Sequence, residues 1–223
     1  MTGTVAITGA AGALGRKVVE ILGKAGWKVV GVDLADVPAA GVALALGGVD
    51  LSDEQAMGAV AGRIQAECGA LDGLVNIAGG FRWETVADGE VATWDRLYAM
   101  NVKTALVATR ALLPLLRASK GAIVNIGAAA SIKAAMGMGA YAASKAGVAR
   151  LTEALAEELK TEGVRVNAVL PSIIDTPANR ADMPDAEFDR WVSPEELANV
   201  IAFLLSKEAS AVTGALVPVT GRV

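Results

Sequence analysis

TGAAGALG, residues 8–15, follows directly on the apolar run TVAIT (4–8) and enters a helical pattern in which Leu14, Val18, Ile21 and Leu22 recur on one face. A buried strand, a glycine turn and an amphipathic helix in that order open an α/β unit. Gly9 allows the tight turn, and Gly12 or Ala13 lets the backbone approach a pyrophosphate. Leu14 starts the helix, and Gly15 permits close helix–strand packing. The helix N-terminus then faces an anion with free N–H groups and a favourable dipole.

The same alternation continues along the chain. Strands are expected at 27–33, 73–78, 121–127, 163–169 and 216–220, with a weaker one in 42–50. Most are apolar nearly throughout, as strands covered on both faces are. Between them lie helical stretches, among them Val148, Leu151, Leu155 and Leu159, and a long amphipathic run over 94–117 that Pro114 is expected to bend or end. Repeated strand–helix–strand order implies a parallel sheet with helices on both faces. Residues 1–223 read as a single domain. One polar stretch, 175–192, holds Pro177 and Pro184 after a strand end and is a candidate substrate lid.

Composition narrows the function. Hydrophobic residues make up 53% and the net charge is -4, so a large core is available and a nucleic-acid partner is disfavoured. A lone Cys68 and the absence of histidine leave no Cys- or His-based metal site and no histidine base. With no leader and no uninterrupted apolar span, the expectation is a cytoplasmic protein without membrane contact.

Asp33 closes the second strand. A carboxylate there accepts hydrogen bonds from a ribose 2′-hydroxyl and repels a 2′-phosphate, so NAD(H) is expected over NADP(H). Tyr141 and Lys145 stand four residues apart in GAYAASKAGV, one helical turn from each other. A phenol titrates near 10, and a nearby ammonium is expected to lower that value and make it a usable proton carrier. The two features together point to hydride transfer.

Over nearly its full length the chain resembles the short-chain dehydrogenase/reductase family. The resemblance rests on TGAAGALG (8–15), Asp33, Asp50, NIAGG (76–80), Asn101 in MNVKTAL, YAASK (141–145) and NAVLPSIIDTP (167–177). It implies a Rossmann-type, doubly wound parallel sheet of about seven strands. It implies Tyr141 as acid/base, Lys145 as its activator, and Asn101 holding a water in a proton relay. Asp50 and Leu51 would meet the adenine side. Asn76, Ala78 and Gly79 would line the adenosine-side ribose, and Pro171, Ile174 and Thr176 the nicotinamide end. Ala128 stands where the family places a carbonyl-binding serine, and Ser131 is the expected substitute. The alanine, AGG (78–80) and DTPANR (175–180) resemble the dihydropteridine reductases within the family.

Phe81, Arg82 and Trp83 follow the glycines at the sheet's ligand-binding edge, and Asn179 and Trp191 come from the candidate lid; Phe81, Trp83, Ala128, Asn179 and Trp191 are the expected substrate contacts. The resemblance implies a small-molecule substrate and a homodimer or homotetramer. The activity expected is an oxidoreductase acting on a substrate C=O or C=N. A dihydropteridine reductase is its sharpest form, a carbonyl reductase or alcohol dehydrogenase the alternative, and a non-catalytic dinucleotide sensor the rival.

Overall fold

The computed structural model describes residues 3–223. Its strands are β1 (Thr4–Thr8), β2 (Lys28–Val32), β3 (Leu44–Leu46), β4 (Gly73–Asn76), β5 (Ala122–Ile126), β6 (Arg165–Pro171) and β7 (Leu216–Val219). They form one seven-stranded sheet in the order β3-β2-β1-β4-β5-β6-β7, parallel throughout. All the expected strands are present. The one expected over 163–169 is displaced and runs Arg165–Pro171.

Seven α-helices connect them: α1 (Ala13–Lys24), α2 (Glu54–Cys68), α3 (Val91–Tyr98), α4 (Thr104–Ser119), α5 (Gly139–Leu159), α6 (Pro177–Asp182) and α7 (Pro194–Leu205). Successive strand residues face opposite sides of the sheet. Leu74, Ile123 and Val166 pack with Met57, Leu112 and Leu155 from α2, α4 and α5. Val75, Val124 and Val169 pack with Val18, Leu22, Leu197 and Ile201 from α1 and α7. This two-sided demand is why the strands carry no polar face.

The run expected over 94–117 is two helices joined by a π-helical turn, Ala99–Lys103. Pro114 does not end α4, which continues to Ser119. Pro114 and Arg110, the residue one turn before it, both lie on the exposed side, where water can serve the carbonyl that the proline leaves unbonded. The stretch Val91–Ser119 has the length and apolarity of a membrane span, yet its Leu97, Val107, Leu112 and Leu116 are buried in the protein.

A buried amide chain ties β4, β5 and α5 together just below the carboxyl ends of the strands. Asn76 and Asn125 are register partners. Asn76 Nδ2 donates to Asn125 Oδ1 at 2.9 Å, and Asn125 Nδ2 donates to Thr152 Oγ1 at 2.9 Å. Thr152 Oγ1 in turn donates to the Val148 carbonyl at 2.8 Å. Leaving a buried donor unpaired costs about 1–3 kcal/mol. Thr152→Val, equal in shape, is therefore expected to lose about 1–3 kcal/mol of unfolding free energy in urea. Thr152→Ser keeps the acceptor and should lose clearly less; equal losses would show that the hydroxyl does nothing for stability.

Candidate active site

The order of the sheet reverses between β1 and β4, and the loops after these strands border the crevice where open α/β sheets take ligands. Gly9 has φ 70°, and a Cβ there would stand 2.7 Å from the Ala78 nitrogen. A Cβ on Gly15 would stand 2.0 Å from the Gly9 carbonyl oxygen. The two loops and the start of α1 thus meet backbone to backbone. Gly12 caps α1 without any side-chain hydrogen bond, and the first turn holds no acidic residue. The N–H groups at Ala13, Leu14 and Gly15 therefore present an anion seat with no side chain in it.

Asp33 braces this turn. Its Oδ2 accepts from Ala11 N at 2.9 Å and its Oδ1 from Ala35 N at 3.0 Å. Asp50 lies exposed at the same edge, where bonds from the Ser52 backbone and hydroxyl, both 2.8 Å, hold its carboxyl below the usual range. Leu51 beside it is buried. Asn76, expected at the ribose, has its side chain elsewhere: Nδ2 is spent on Asn125 and Thr109, and Oδ1 is buried without a partner. Ala78 N lies against Gly9, and a Cβ on Gly79 would lie 2.4 Å from Asn101 Oδ1 and 3.5 Å from Lys145 Nζ. A seat of bare backbone N–H groups, a braced turn and a second loop that narrows to Gly79 and Gly80 fit a dinucleotide.

Tyr141 and Lys145 stand one turn apart on α5. Lys145 is 5% exposed, and its Nζ donates to the Ile126 carbonyl at 2.8 Å while lying 6.0 Å from the Tyr141 ring centre. Burial pushes the ammonium down to about 8 and the phenol up to about 12. The expected lowering of the phenol is therefore corrected: desolvation dominates, and the lysine bonds a carbonyl rather than the phenol. A charge arriving in the crevice has to supply any further activation.

Asn101 lies in the π-helical turn. Its Oδ1 accepts from Gly80 N at 2.9 Å, and its Nδ2 donates to the Gly80 carbonyl at 3.1 Å and to Ser144 Oγ at 2.9 Å. Ser144 Oγ donates to the Tyr141 carbonyl at 2.7 Å. The side chain assigned to a water relay is occupied in knotting the loop after β4 to the catalytic helix. Ser144 was not among the expected site residues; its place immediately before Lys145 was the available signal. Ala128 is buried and contributes no hydroxyl. Ser131 ends the short 3-10 turn that packs on α5, and its Oγ has no hydrogen-bond partner among the described residues.

On the substrate side, the Phe81 ring stands edge-on to Tyr141, with centroids 4.9 Å apart. Trp83 Nε1 donates to the Met136 carbonyl at 3.0 Å. The two residues expected from 175–192 serve that segment itself. Asn179 Nδ2 donates to the Ile174 carbonyl at 2.7 Å. Trp191 is 5% exposed, packs on Phe188 and lines a cleft with Lys17 and Arg222, on the α1–α7 side of the sheet. It is an anchor, which corrects the expectation of a substrate contact. Ile174 pairs with Val192 at the base of the segment, and Thr176 Oγ1 caps α6. Pro171 ends β6, directly before this stem.

Residues 3–187 match the family described as short chain dehydrogenase. The chain is 32% identical to 2-(S)-hydroxypropyl-CoM dehydrogenase 3 of Xanthobacter autotrophicus, covering 97% of this chain and 94% of that one. It is 37% identical to cis-4-hydroxycyclohexanecarboxylate dehydrogenase of Sinomonas cyclohexanicum, covering 96% and 94%. The structure superposes on 3-ketoacyl-(acyl-carrier-protein) reductase from Brucella melitensis, solved with NADH, at TM-score 0.89 and 29% identity, covering 99% and 98%. The glycine turn at the reversal of a seven-stranded parallel sheet, the Tyr141–Lys145 pair beside it and these likenesses agree: the chain belongs to the short chain dehydrogenase family, and it is an NAD(P)-dependent oxidoreductase.

Proposed function

We propose that this oxidoreductase moves a hydride between NAD(H) and a small alcohol or ketone, with Tyr141 carrying the proton. The observation that carries this is the placement of a buried Lys145 and a half-buried Tyr141 beside the loop at Gly79, at the same crevice as the anion seat of α1. When bound, the nicotinamide supplies the hydride carrier. The chain's own residues do the rest. The α1 N-terminus would hold the pyrophosphate, and Asp33 would accept from the adenosine ribose and repel a 2′-phosphate. Lys145 Nζ, anchored on the Ile126 carbonyl, brings a positive charge to the nicotinamide ribose. Tyr141 Oη gives its proton to the substrate oxygen in reduction and takes one in oxidation. The relatives named above act on alcohols, which supports an alcohol or ketone over other acceptors.

A second reading has one observation in its favour. With alanine at 128, a hydroxyl that would steady negative charge on a carbonyl oxygen is missing. That favours an acceptor already primed for hydride, such as a quinonoid dihydropterin. Around the site we assign 175–192 as a lid standing on the Ile174–Val192 pairing. We place the protein in the cytoplasm as a homodimer or homotetramer, to which the half-buried Leu106 and Leu113 along α4 lend themselves.

NADH oxidation measured against ketones and a quinonoid dihydropterin separates the two readings by which class turns over. Tyr141→Phe is expected to lower kcat on the active class by about 100-fold or more while NADH affinity stays within about twofold. Full turnover by the variant would remove Tyr141 from the reaction. Asp33→Asn keeps the acceptor for Ala11 N and removes only the charge. The parent should favour NADH over NADPH by about tenfold or more in kcat/KM, and the variant should narrow that ratio. A parent using both equally would contradict the assignment of NAD(H).

A further inference from the structure

Among the described residues, six of the twelve exposed large apolar side chains gather around the Tyr141 end of α5. Phe81 stands on Tyr141. Trp83 lies against Gly137, where a Cβ would come within 2.1 Å of the indole, and Val86 and Trp94 flank Gly139, two residues before Tyr141. Ile132 and Met136 stand exposed on the facing loop. Two bonds staple these loops together, Trp83 Nε1 to the Met136 carbonyl and Glu84 N to the Gly137 carbonyl at 2.8 Å. The first also satisfies the indole's only donor, so the tryptophan presents hydrocarbon alone. The patch is continuous with the reacting phenol, which makes substrate its occupant.

Each stapled loop also carries a cation, Arg82 and Lys133, both exposed. Nine other Lys and Arg side chains have a carboxylate partner. Arg82 and Lys133 have no side-chain hydrogen bond, ion pair or ring contact among the described residues, a state shared by Lys103, Lys120 and Lys207, and of the five these two stand on the stapled loops. This holds although the chain has more acidic than basic residues, 24 against 20. Two unpaired positive charges at the rim of an apolar mouth match a molecule that is apolar where it meets Tyr141 and negative at its far end. We infer that the enzyme selects alcohols or ketones with an apolar body and an anionic end, an inference that rests on the hydride-transfer reading above.

The test reduces 8-oxononanoate and 4-oxocyclohexanecarboxylate with NADH, each beside its methyl ester, with 4-oxopentanoate as the short acid. The acids are expected to exceed their esters about tenfold in kcat/KM at low ionic strength, with the advantage shrinking as salt is added. The long acid should exceed 4-oxopentanoate several-fold, as added buried methylenes require. Arg82→Gln with Lys133→Gln should bring the acid-to-ester ratio close to one. Turnover with no preference for acid or length overturns this inference and leaves hydride transfer standing. No turnover of any ketone overturns both this inference and the alcohol or ketone reading, and turnover of a quinonoid dihydropterin alone then leaves hydride transfer standing. Ile132→Ser with Met136→Ser that alters the sedimentation coefficient but not these ratios would assign the patch to a second copy of the chain, overturning the inference.

Discussion

Everything at this site depends on one lysine held out of water. Lys145 Nζ has a single protein partner, the Ile126 carbonyl at the end of a central strand. Burial moves the ammonium from 10.5 to about 8, and at about 1.4 kcal/mol per unit this costs the empty protein on the order of 3 kcal/mol of stability. The sign follows from linkage. Between about 8 and 10.5 the unfolded chain binds the proton and the folded one does not, so stability rises with pH across that window. Below about 8 the full cost is present. Tyr141 acts oppositely: with its value raised from 10.0 to about 12, stability falls as pH climbs through that interval. A fold tolerates such a cost where the charge has work to do, and ligand binding is where it is recovered.

The rest of the architecture keeps this pair in place. The Asn76–Asn125–Thr152 chain fixes α5 against β4, whose following loop borders the crevice, and against its neighbour β5. The Asn101 amide joins Gly80, the π-helical turn and Ser144, so the loop after β4 is tied to α5 next to Tyr141. On the other side of the crevice, Asp33 holds the glycine turn through Ala11 N. The proposed cofactor seat and the proposed proton carrier are thereby each pinned by side-chain hydrogen bonds to the strands and loops around them. Pre-setting both groups in this way is what a reaction limited by orientation needs.

How much of this was legible in the sequence follows from the range of each interaction. The strands, the glycine turn and the Tyr141–Lys145 spacing are local patterns, and they read correctly. The displaced start of β6 and the π-helical turn at Ala99–Lys103 are shifts of a residue or two inside a hydrophobic period that hardly registers them. The resemblance sets Asn76 at the ribose, and the sequence hides that its side chain is spent on Asn125 and Thr109, 49 and 33 residues away. Trp191 carries an apolar ring whichever way it faces, and only the packing against Phe188 shows it to be an anchor. The direction of the phenol's shift was misread for the same reason. Proximity of a lysine is visible in the sequence, whereas the loss of water from both groups is not. The unpaired state of Arg82 and Lys133 likewise exists only in three dimensions.

The most direct test is the titration of Lys145 itself, by NMR of lysine side chains labelled with 15N at Nζ, its resonance identified by its loss in Lys145→Met. In the protein without cofactor the account predicts a midpoint at about 8. A midpoint at the ordinary lysine value of 10.5 would mean that the ammonium is solvated and not held against Ile126, contradicting the account.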